Sequence, residues 1–87
     1  IAVGGTQRSQ HTEGLAADFS CAQFGSPIEV VRTICHSALI FDQCILEFAN
    51  WVHISFSPDP RRRVLTIYNT TQGYLEGLWD ANGNRWA

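Results

Sequence analysis

The segment QCILEFANWVHISF, Gln43 to Phe56, constrains the fold more than any other stretch. Apolar and polar positions alternate on both sides of a short break, which is the period of half-buried strands. Cys44, Leu46 and Phe48 share one face of the first run; Val52, Ile54 and Phe56 share one face of the second. Both sets must reach the same core, and opposed residues of an antiparallel pair lie on the same face. A two-residue turn at Ala49-Asn50 would set Leu46 against His53 and Glu47 against Val52, mixing the faces. A three-residue loop, Ala49-Asn50-Trp51, sets Phe48 against Val52, Leu46 against Ile54 and Cys44 against Phe56. The same register puts Glu47 directly opposite His53, so core burial brings a carboxylate beside an imidazole on the side away from the core.

Other segments supply partners for this hairpin. Leu15 to Cys21 reads as a strand with Ala17, Phe19 and Cys21 toward the core, which turns Asp18 the other way. Ser26 is a good N-cap, Pro27 suits the first helical position and Glu29 completes a capping box. The helix is expected over 27–38, with Ile28, Val31, Ile34, Cys35 and Ala38 as its apolar stripe and His36 exposed. Arg63 to Asn69 reads as a further strand, and Ala81-Asn82-Gly83-Asn84 as the turn of a small hairpin. In 87 residues these elements make a single α+β domain, 1–87: a small antiparallel sheet with one face on the helix.

Composition narrows the function classes. A net charge of −2 and no basic stripe interleaved with aromatics argue against nucleic acid. No apolar run is long enough to insert in a membrane, and a monomer is expected. Cys21, Cys35 and Cys44 lack metal-type spacing; three buried thiols are expected, with one disulfide plus a free thiol as the alternative. Arg61-Arg62-Arg63 follows a Pro-Asp-Pro turn and reads as a solvated corner, or as a contact for an anionic cell-wall polymer. The chain opens on Ile1-Ala2-Val3 with no initiating methionine, so a missing N-terminal piece is expected.

Four groups carry potential chemistry: His11, Asp18, Glu47 and His53. Two imidazoles and one carboxylate are a common way to hold a catalytic zinc with one position open for water. A carboxylate outside that set can take the water's proton. On spacing alone, the same four residues also fit scattered polar groups of a soluble domain.

The stretch SQHTEGLAADFS, Ser9 to Ser20, fits S-x-H-x-x-G-x-A-x-D at every fixed position, and Trp51 to His53 fits W-x-H. Together they resemble the zinc D-alanyl-D-alanine carboxypeptidase family, which includes VanX-type dipeptidases and phage endolysin peptidases. The flanking AVGG and EFANWVHISFSP are most similar to its phage-type branch, and the resemblance runs from Ala2 to about Leu65. It implies a hedgehog/DD-peptidase-like fold, with zinc held by His11, Asp18 and His53. Ser9 would support the site, Gly14 would allow the turn between the first two ligands, and Trp51 would wall the cleft. The implied reaction is hydrolysis of a peptide bond in the peptidoglycan stem peptide, at the bacterial cell wall or in the periplasm, by an enzyme of bacterial or phage origin.

Two departures bear on this. Much of the family has an acid three positions before the last histidine, where this chain has Asn50; an amide cannot act as a general base. The resemblance to the phage-type branch implies a glutamate at Glu47, six positions before His53, and the register above sets it opposite His53; Glu47 is the expected base, the alternative being a strand-end carboxylate paired to an arginine. The family's tyrosine-arginine-serine segment would lie upstream of AVGG, before Ile1, and Arg8 is the expected substrate contact within the sequence given. Two functions remain open: a zinc carboxypeptidase or endopeptidase, or a catalytically inactive zinc-containing module that binds cell wall or builds a virion.

Overall fold

The computed structural model describes residues 15–87. Among them the chain runs through β1 (Ala16–Phe19), α1 (Pro27–Cys35), β2 (Gln43–Glu47), β3 (Trp51–Ser55), β4 (Arg63–Ile67) and β5 (Tyr74–Glu76). The strands form one sheet in the order β1-β3-β2-β4-β5. This is the expected α+β arrangement of a small sheet on a helix, except that the sheet is mixed: β2 and β4 run parallel and the other pairs antiparallel. The reason is local. β3 ends with Ser55 opposite Gln43, at the end where β2 begins, and the following loop delivers Arg63 beside that same Gln43. A strand starting there on the free edge of β2 can only run parallel to it.

α1 packs on β2 and β3. Val30 and Val31 of the helix meet Phe41, Cys44, Leu46, Val52, Ile54 and Leu78, and Phe19 of β1 packs at the margin. Glu29 Oε1 accepts the Ser26 N–H at 3.0 Å, satisfying one of the free donors at the helix start. The helix ends at Cys35, short of the expected Ala38, and His36 is exposed as expected.

The early stop has a visible partner. Arg62 donates to the carbonyls of Cys35 (3.0 Å), Ser37 (3.1 Å) and Leu39 (3.2 Å), so a cation sits where the helix dipole is negative. Its guanidinium lies 4.7 Å from the centre of the Phe41 ring. Arg61 grips Asp42 through Nε and Nη2, both at 2.8 Å, and Arg63 reaches Glu76 at 2.8 Å. The arginine triplet thus lies at the solvated corner expected from sequence and also clasps α1, β2 and β5 together.

The hairpin also differs in register. Leu46 lies opposite Val52, Cys44 opposite Ile54, Glu47 opposite Trp51 and Ile45 opposite His53. The loop is Phe48-Ala49-Asn50, with Phe48 and Ala49 both at positive φ (55° and 58°) and Phe48 40% exposed. Glu47 is therefore diagonal to His53, not directly across from it. The slip is two residues, and a two-residue slip leaves every side chain on its face. Alternation cannot separate these registers. The turn does, helped by the Phe48 N–H donating to the Ile67 carbonyl of β4 at 2.7 Å.

The C-terminal part closes the lower edge of the core. Thr66, fully buried, donates its hydroxyl to the Gly77 carbonyl (2.8 Å) and accepts the Trp79 N–H (3.1 Å). Gly77 sits at φ +96°, and a Cβ there would come within 2.9 Å of the Ala87 carbonyl oxygen and the Arg85 side chain. The expected turn over 81–84 forms around Asp80, which accepts the N–H groups of Asn82 and Asn84 at 2.9 Å and the Trp86 indole N–H at 3.1 Å. The three cysteines are free, and Cys44 alone is buried, its thiol pushed up to about 12 chiefly by burial. The expectation of three buried thiols thus fails at exposed Cys21 and half-buried Cys35.

Candidate metal centre

β1 and β3 bring the two sequence motifs together. Their antiparallel pairing puts Asp18 directly opposite His53. Asp18 faces away from the helix because Phe19 next to it packs on the core. His53 does so because its neighbours Val52 and Ile54 are both buried in that core. The His53 Nδ1 and Asp18 Oδ1 atoms are 2.8 Å apart.

Glu47 ends β2 on the same face, two residues from Ile45, which pairs with His53. Asp18, Glu47 and His53 each offer a donor atom within 4.8 Å of the other two. The cluster is closed below by the sheet and open above: the Asp18 side chain is 60% exposed and that of His53 25%. The Asn50 position lies in the exposed turn, where its N–H donates to the Glu47 carbonyl at 3.0 Å.

Electrostatics mark Glu47 out. Burial pushes its carboxyl above the usual range and the Asp18 charge pushes it further, while the nearby His53 acts the other way. Two carboxylates beside an imidazole repel one another, and a cation between them would relieve that repulsion. The donor set is one nitrogen and carboxylate oxygens, which suits zinc. The residues present thus fit a divalent metal.

Of the residues expected at the site, Asp18, Glu47 and His53 come together, and Trp51 stands beside them opposite Glu47, 43% exposed. Arg8, Ser9, His11 and Gly14 lie outside the described residues. Sequence reasoning paired neither β1 with β3 nor Ile45 with the site face. The first had a readable signal, since Asp18 and His53 were both turned from the core by their apolar neighbours. Ile45 had none, because an apolar residue on the polar phase of a strand looks like noise until a second cluster covers it.

A family model described as Peptidase M15 matches residues 1–55. That span holds β1, α1, β2 and β3, and with them Asp18, Glu47 and His53. No curated protein and no solved structure matches the chain.

Proposed function

The chain belongs to the M15 peptidase family, and from that premise we propose that it is a zinc metallopeptidase hydrolysing a peptide bond of the peptidoglycan stem peptide, as a D-alanyl-D-alanine carboxypeptidase or an endolysin-type endopeptidase. The observation that carries this reading is the meeting of Asp18, Glu47 and His53 on the open face of the sheet. His11, Asp18 and His53 would hold the zinc. When bound, zinc polarises a scissile carbonyl and lowers the pKa of its water to about 7.

The chain's own groups do the rest. Glu47, partly buried and held above its ordinary range, accepts a proton from the attacking water on a carboxylate oxygen and delivers it to the leaving amine. Trp51, opposite Glu47, walls the cleft. Ser9 and Arg8 are assigned to substrate contact, and the reaction takes place at the bacterial cell wall.

The test is metal analysis joined to digestion of purified peptidoglycan. Purified protein should carry zinc at one per chain, and both Asp18→Ala and His53→Ala should lose it. Mass spectrometry of the fragments should show one new type of peptide end. Zinc binding with no cleavage would favour the inactive cell-wall or virion module; no zinc in either wild type or reconstituted protein would remove the metal centre altogether.

A further inference from the structure

The sheet face that carries Asp18, Glu47 and His53 continues well past them. Cross-strand pairing lines up Asp18, His53, Ile45, Leu65 and Glu76 in one row. The next row on the same face is Trp51, Glu47, Ile67 and Tyr74. Ile45, Leu65 and Ile67 form a cluster of their own, each at most 7% exposed, separate from the core under α1. Over β2, β4 and β5 this face is hollowed into a groove of about 400 Å³, lined by Gln43, Ile45, Arg63, Leu65, Tyr74 and Glu76. That volume is within the range of ligand sites.

The groove has an apolar floor and a polar rim. Ile45 and Leu65 make the floor. At the rim Tyr74 is 59% exposed, and Arg63 and Glu76, paired at 2.8 Å, leave 42% and 66% of their side chains open to solvent. One cation and one anion side by side suit a ligand with both carboxylate and amine groups, and the floor suits short aliphatic side chains. A peptide of small residues with charged groups has that chemistry.

Distance fixes which part of a substrate could lie there. Neighbouring strands are about 4.8 Å apart, so the floor begins roughly 5 Å from His53 and the Glu76 rim lies roughly 14 Å away. An extended peptide advances about 3.3 Å per residue. The groove therefore spans positions about two to four residues from the bond held at Glu47.

We propose that this groove is an extended subsite for one arm of an oligopeptide substrate, with Tyr74 and Arg63 as its specificity-determining residues, so that the enzyme acts on stem peptides and not on free dipeptides. The proposal rests on the peptidase reading above. A dipeptide held at the metal centre has one residue on each side of the bond and so does not fill the positions two to four residues away.

A cycle of substrate truncation against mutation tests it. The probes are a full-length synthetic stem peptide and versions shortened from either end, with kcat/KM read from product release. In the zinc-loaded wild type, shortening one particular arm should lower kcat/KM about 10-fold or more, the scale of a lost apolar contact in a pocket. In Tyr74→Ala and Arg63→Gln the full-length peptide should fall toward the shortened one, and shortening that arm should then matter about threefold or less, because truncation and mutation remove the same contact. A free dipeptide cleaved as fast as the full-length peptide overturns the proposal, and so do truncation and mutation effects that simply multiply. A zinc-loaded wild type inert on every peptide and on peptidoglycan overturns the underlying peptidase reading instead, and is told apart by that result.

Discussion

The two ends of β2 carry carboxylates in opposite circumstances. Asp42, just before the strand, accepts both arms of the Arg61 guanidinium and the Arg61 backbone N–H, and these bonds hold its carboxyl below the usual range. Glu47, the last residue of the strand, is pushed the other way by burial and by Asp18. Glu76 and Asp80 resemble Asp42: each is lowered, Glu76 by Arg63 and Asp80 by the Asn84 backbone and the Trp86 indole. Bonds to neighbours favour the charge on Asp42, Glu76 and Asp80, whereas the surroundings of Glu47 disfavour its charge. That contrast separates carboxylates that hold the fold from one that its surroundings destabilise as a charge.

The sharpest attack on the contrast is Glu47→Gln. It should reduce peptide cleavage by about 10²–10⁴-fold, the usual contribution of a general base, while zinc content by metal analysis stays at the wild-type level. Loss of zinc together with activity would make Glu47 a ligand and not a base.

On the framework side, Thr66→Val should have the largest effect. It strips both hydrogen bonds from a fully buried site and leaves the Gly77 carbonyl and the Trp79 N–H without their partner. A loss of about 1–3 kcal/mol is expected in denaturant unfolding, with zinc content unchanged.

Arg61→Ala should cost less. The Asp42 side chain is only 13% exposed, but that of Arg61 is 54% exposed, so solvent already screens the pair. A drop in Tm clearly smaller than that of Thr66→Val is expected in thermal melts. An effect as large as that of Thr66→Val would mean that the arginine clasp, and not the buried hydroxyl, limits stability.

The smallest effect is in pH dependence, and it has opposite signs at the two ends. Asp42 is depressed in the fold, so its contribution is present above its unfolded value of about 3.9 and fades as pH falls through the folded value. Asp42→Asn should therefore flatten the acid limb of the stability curve. Glu47 is raised in the fold, so in chelator-treated protein its contribution is present below about 4.3 and is lost as pH rises through its folded value. Glu47→Gln in that protein should raise Tm at pH 7 and leave it close to wild type at pH 4. Thermal melts at the two pH values, with chelator, check both signs.

Much of the fold was legible because its elements have strong local signals. The Ser26-Pro27-Glu29 start located α1, and alternation located β2 and β3 and the faces of Asp18, Glu47 and His53. Those faces are the part of the site that a period of two can specify. The hairpin register was misread by two residues, since Phe48 alternates correctly with Leu46 yet sits in the turn at positive φ. The partners of the arginine triplet were not legible, because nothing in a run of like charges tells which carbonyls and carboxylates will face it.

By itself the sequence determined which residues turn toward the core and which away, and with them the side of the sheet on which the acids and His53 gather. Side-chain direction follows from backbone period, a local property. Tertiary structure alone decided that Asp18 and His53 touch, that β4 runs parallel beside β2, and that a grooved apolar floor extends from the cluster to Tyr74. Those outcomes depend on strand order, and strand order is set by how all the apolar faces share one core, which no single segment encodes.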